Sequence, residues 1–74
     1  MPPKLRDLRG ELRRAGFAID HQTGSHQVWK HPRLPGFSVV LAGHDGADAK
    51  PYQERQVGRA LRVLRDQDLG DWHG

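Results

Sequence analysis

The run Thr23-Gly24-Ser25-His26-Gln27-Val28-Trp29-Lys30-His31-Pro32 constrains the fold more than any other part of the chain. A Thr-Gly pair supplies a turn, because glycine reaches positive φ without steric cost. The residues after it alternate as a strand does, and Pro32, lacking an N–H, stops the ladder. The strand therefore opens on a histidine held beside a tight turn. Histidine is the side chain whose ordinary pKa lets it both take and give a proton near neutral pH, so His26 is the first position to suspect of chemistry.

The flanking chain completes a short list of elements. Residues 3 to 15 read as an amphipathic helix, with Pro3 in its first turn and Leu5, Leu8, Leu12 and Ala15 at helical spacing. Gly16 is its stop, and Gly10 inside it suggests a close approach to the sheet. Phe17-Ala18-Ile19-Asp20-His21 alternates as a half-buried strand, Gln22-Thr23-Gly24 turns it back, and Ser25 to His31 forms the second strand. Pro32-Arg33-Leu34-Pro35-Gly36 is another turn. Phe37 to Ala42 is a third strand, more continuously apolar and so the best placed for burial. After a polar loop from Gly43 to Ala49, Pro51 opens a second helix carrying Val57, Ala60, Leu61 and Leu64 on one face through about residue 67. The remainder, with Leu69 and Trp72 as residues able to dock back, reads as a frayed tail.

These elements predict an α+β fold: a two-layer α-β-β-β-α sandwich with a three-stranded antiparallel meander and both helices on one face. The other face is left open. One domain, residues 1–74, is expected, with a core at about 4–67 and a tail at 68–74, because 74 residues leave no room for a second site-bearing unit. Cysteine is absent, which removes disulfides and thiolate metal clusters and suits a reducing cytoplasm. No apolar run approaches a membrane span, so a cytoplasmic location without membrane association is expected.

The net charge is +3. Arg6, Arg9 and Arg13 share one helical stripe, and Arg55, Arg59 and Arg62 another, a pattern that suits a polyanion such as nucleic acid. Asp7, Glu11 and Glu54 interleave with them, as on an ordinary solvated face. Strand alternation puts His26, Val28 and Lys30 on one side of the sheet and Ser25, Gln27, Trp29 and His31 on the other. The five histidines with Asp20 and Asp45 show no metal-ligand spacing, and no metal or other cofactor is expected. Tyr52 reads as a contact at the start of the second helix.

Gly24-Ser25-His26 followed by Val28, Trp29, Lys30, His31 and Pro32, after a Leu-rich helix ending in Gly16-Phe17, resembles the HicA family of bacterial toxins. The resemblance covers roughly residues 4 to 65, with Lys50-Pro51 and the following apolar face matching the family's closing segment. The 43–49 loop, the Leu34-Pro35-Gly36 turn and the tail after Gln67 depart from it. It implies a small mRNA-cleaving ribonuclease with a fold like that of double-stranded RNA-binding domains, paired with a HicB antitoxin. It also places the catalytic histidine on His26, presented by Gly24.

The chemistry is consistent with that implication. RNA carries a 2′-hydroxyl able to attack the adjacent phosphate, so cleavage needs proton transfer and charge stabilisation. His26 would do acid or base work, Lys30 would meet phosphate charge, and Ser25 with the turn amides would position the strand, all converging on one phosphate. His31 or His44, or water, would supply the second proton transfer. Trp29 is either a base-stacking platform or a packing residue. The alternatives are a non-catalytic RNA-binding module of the same fold and a protein-interaction domain using the open sheet face.

Overall fold

In a computed structural model that describes residues 1–71, the elements run α1 (Leu5–Arg14), β1 (Ala18–Thr23), β2 (His26–Lys30), β3 (Ser38–Leu41) and α2 (Pro51–Asp71). The strands form one antiparallel sheet in the order β1-β2-β3, with β2 central. Leu5, Leu8 and Leu12 of α1 and Val57 and Ala60 of α2 share one buried core with Trp29, Val39 and Leu41 of the sheet. The two-layer α+β expectation holds.

Helix α1 starts later than Pro3. Lys4 is the N-cap, and its backbone N–H donates to Asp7 Oδ2 at 2.9 Å. Pro3 lies outside the helix, where its carbonyl accepts from Ala49 N–H at 2.8 Å. The first amides of a helix have no partner within it. Here Leu5 N–H donates to Ala47 O and Arg6 N–H to Asp45 O, so the 43–49 loop caps α1. At the other end Gly16 has φ +99°, its N–H donates to Arg13 O, and Phe17 N–H donates to Leu12 O. That pair of bonds is the Schellman closure. Gly10 does not mark a close approach to the sheet, since a Cβ there would meet only the Arg14 guanidinium, at 3.2 Å.

The strands are displaced from their expected bounds. The turn is Gly24-Ser25, with Thr23 paired to His26 across it, so Ser25 belongs to the turn and Thr23 to β1. Gly24 has φ +58° and Ser25 does not have positive φ, which fits the type II′ hairpin turn, where glycine takes the first central position. Strand β3 is not continuously buried. It is an edge strand in which Val39 and Leu41 face the core while Ser38 and Val40 face solvent. The deepest strand residue is Trp29 on β2, with no exposed area.

In β1, Ile19 pairs with Trp29 and His21 with Val28, leaving Asp20 as the extra residue of a β-bulge. Helix α2 continues to Asp71 rather than ending near 67, and Arg33 from the loop before β3 meets Asp68 at 2.5 Å. Leu61 and Leu64 are partly buried against the core, and Gln53 is fully buried, its Nε2 donating to Ala42 O and its Oε1 accepting from Lys50 N–H. Tyr52 is 46% exposed, so it is not a packed contact at the helix start. The docking suggested for Leu69 and Trp72 lies outside the described side chains.

Candidate active site

His26 begins β2 directly after the type II′ turn, and its side chain is exposed. The direction it points follows from its neighbours. Trp29 is buried under the helices and Gln27 is bonded to Arg9 of α1, so odd-numbered β2 residues face the helices. His26, Val28 and Lys30 face the open side.

Cross-strand partners share a face in an antiparallel sheet. Thr23 lies opposite His26, His21 opposite Val28 and Ala18 opposite Lys30. The bulge at Asp20 therefore turns His21 to the open face, where regular alternation would have put it with Phe17 and Ile19 against the helices. Its ring is 62% exposed and lies 2.9 Å, Nδ1 to Oδ2, from Asp20. A carboxylate only accepts, so the proton of neutral His21 sits on Nδ1 and its Nε2 is left with a lone pair. Asp20 Oδ2 is also 3.9 Å from Lys30 Nζ. The His21 hydrogen bond, and then the Lys30 charge, hold the Asp20 carboxyl below its ordinary pKa.

Asp20 and His21 are thus the residues that a sequence reading misses. One signal was present: a polar ring at a position that regular alternation assigns to the core, beside a carboxylate, is what a bulge leaves in a sequence.

The other expected site residues divide. Lys30 shares the face of His26, but four residues at roughly 3.3 Å rise put their backbones about 13 Å apart, so the two do not converge on one phosphate. Gly24, Ser25 and His44 border a separate hollow of about 380 Å³, together with Arg9, Gln27 and Asp45; His26 is not part of its lining. Trp29 is no stacking platform. It is wholly buried and Arg13 covers its ring, with the guanidinium carbon 5.1 Å from the centroid.

His31 is structural. Its Nε2 donates to Ala15 O at 3.0 Å, its Nδ1 accepts from Arg33 N–H at 3.1 Å, and its ring meets Phe17 edge-on at 5.0 Å. With both nitrogens engaged it cannot shuttle a proton. A Cβ on Gly16 would lie 2.8 Å from His31 Nε2, so the glycine that ends α1 also admits this ring.

Arg9, expected on a solvated stripe, is 4% exposed. It donates to Gln27 Oε1 at 2.7 Å, Asp45 Oδ1 at 2.6 Å and Gly43 O at 2.7 Å. Gln27 Nε2 then donates to Gln22 Oε1 at 3.3 Å, and Gln22 Nε2 to Gly24 O at 2.8 Å. This polar chain runs from α1 to the turn that presents His26. Arg6, Arg55, Arg59 and Arg62 remain exposed. Among the described residues no group of three His, Asp or Glu is placed to hold a metal ion, and no helix is long and apolar enough to cross a membrane.

The family model for the HicA toxin of bacterial toxin–antitoxin systems matches residues 5–66, from the first residue of α1 to the fourth turn of α2. This chain belongs to the HicA family. It is therefore a toxin component of such a system, and the match spans the turn, His26 and the whole sheet. No curated protein and no solved structure matches the chain. The departures noted in the HicA pattern have structural explanations: the 43–49 loop caps α1 and holds Arg9, and the Leu34 turn buries Leu34 in the core.

Proposed function

We propose that this HicA chain is a metal-independent endoribonuclease that cleaves mRNA in the cytoplasm, with His26 as a catalytic residue, and that a HicB-type antitoxin silences it by covering the open sheet face. The observation that carries this reading is the presentation of an exposed histidine on an open sheet face by a type II′ turn, in a chain whose family is one of toxins. A single-stranded RNA laid across that face brings its 2′-hydroxyls and phosphates to His26. The sugar hydroxyl is the nucleophile, so the protein supplies proton transfer and charge stabilisation. Gly24 shapes the turn, Ser25 and the turn amides orient the strand, and Lys30 with the exposed arginines of the helices holds neighbouring phosphates.

The deciding experiment is cleavage of a long, mostly single-stranded RNA by the wild type and by His26→Ala, with chelator present throughout. The expected result is cleavage by the wild type only, leaving 2′,3′-cyclic or 3′-phosphate ends. Binding without cleavage by either protein would make the chain a non-catalytic RNA-binding module. Equal cleavage by both would take His26 out of the reaction.

A further inference from the structure

We infer that His21 is the second proton-transfer residue of this site: its Nε2 takes the proton of the attacking 2′-hydroxyl while His26 protonates the leaving 5′-oxygen. The inference rests on the ribonuclease reading above. Thr23 lies opposite His26, and His21 is two residues from Thr23 on the same face. His21 and His26 are therefore diagonal neighbours, a relation that sets backbones roughly 7–8 Å apart and keeps long side chains within reach of one another. A phosphodiester fits between two such rings. The bulge at Asp20 creates the pairing, since without it His21 would face the helices.

The two rings are not equivalent. Asp20 accepts from Nδ1 of His21, which orients the imidazole, exposes the Nε2 lone pair and stabilises the imidazolium that forms when that atom takes a proton. No such carboxylate bond holds His26. The remaining histidines are poorly placed for the task. His31 has both nitrogens engaged, His44 borders the hollow to which His26 does not contribute, and His73 lies outside the described residues.

The step balances. The 2′-oxygen attacks phosphorus and the O2′–P bond forms as the P–O5′ bond breaks, its electron pair leaving with O5′. The 2′-hydroxyl proton goes to His21 Nε2, and the imidazolium of His26 delivers one proton to O5′. The products are a 2′,3′-cyclic phosphate and a 5′-hydroxyl, and proton exchange with water restores both rings.

The test compares two oligoribonucleotides, one ordinary and one with a bridging 5′-sulfur at the cleaved linkage, whose thiolate leaves without a proton. His26→Ala is expected to lose about 10²-fold or more on the ordinary substrate and to stay within about tenfold of wild type on the thio substrate. His21→Ala is expected to lose about 10²-fold on both, and Asp20→Asn to lower kcat on both with little change in KM. Circular dichroism checks the fold of each variant, and His21 and Asp20 are exposed enough for it to survive. If His21→Ala cleaves both substrates within about threefold of wild type, or if sulfur rescues His21→Ala and not His26→Ala, the inference is overturned while the ribonuclease reading stands. If the wild type cleaves neither substrate, the reading fails and the inference with it.

Discussion

The Nε of Arg9 donates to Gln27 Oε1 at 2.7 Å, across the interface between the first helix and the central strand. Two further bonds tie the same guanidinium to Asp45 and Gly43, so one buried cation joins α1, β2 and the loop that caps α1. Arg9→Ala leaves Gln27 Oε1 and Gly43 O without this donor, and a loss of about 2–4 kcal/mol is expected from urea unfolding. Asp45→Ala should cost less than about 1 kcal/mol, because that carboxylate is 68% exposed and its charge stays solvated when unpaired.

Gly24 has open space around its Cα but a φ of +58°. Gly24→Ala is therefore a test of backbone conformation without a steric clash. The expected cost is about 1–2 kcal/mol in unfolding experiments, together with reduced RNA cleavage by the folded fraction, since the turn that presents His26 must distort.

His31→Ala separates stability from chemistry. It removes the ring that joins Ala15 O, Arg33 N–H and Phe17, and about 1–3 kcal/mol of stability is expected to go with it. Cleavage per folded molecule should stay within a few-fold of wild type at a temperature where both are folded. A loss comparable to that of His26→Ala would contradict the structural role.

Asp20 provides a pH test with a defined sign. Its folded-state pKa is lowered, chiefly by the His21 hydrogen bond and next by Lys30. The native protein thus binds fewer protons than the unfolded chain between the two pKa values, and stability rises with pH through that window. The contribution is fully present above the ordinary carboxylate pKa and is lost as pH falls through the lowered one. Unfolding midpoints of wild type and Asp20→Asn should differ at pH 6, with the wild type the more stable, and converge near pH 2.

Much of this protein is local, and what is local is legible in its sequence. The leucines of α1, the Gly16 stop, the Gly24 turn, three short strands and the proline that opens α2 are periodic or nearest-neighbour signals. They place His26 beside its turn, and alternation within β2 separates it from Trp29. Tertiary structure decided what depends on residues far apart in sequence. Arg9 looked like part of a solvated stripe until partners 18 and 36 residues away enclosed it. His31 became structural because the end of α1 offers it a carbonyl, and α2 runs past its expected end to where Asp68 meets Arg33. The bulge at Asp20 decided most for function, because a one-residue shift in pairing moves a side chain from one face of a sheet to the other. Periodicity within a strand reports which residues share a face only while the ladder is regular. Where it slips, the packing of both strands sets the face, and here that put His21 beside His26.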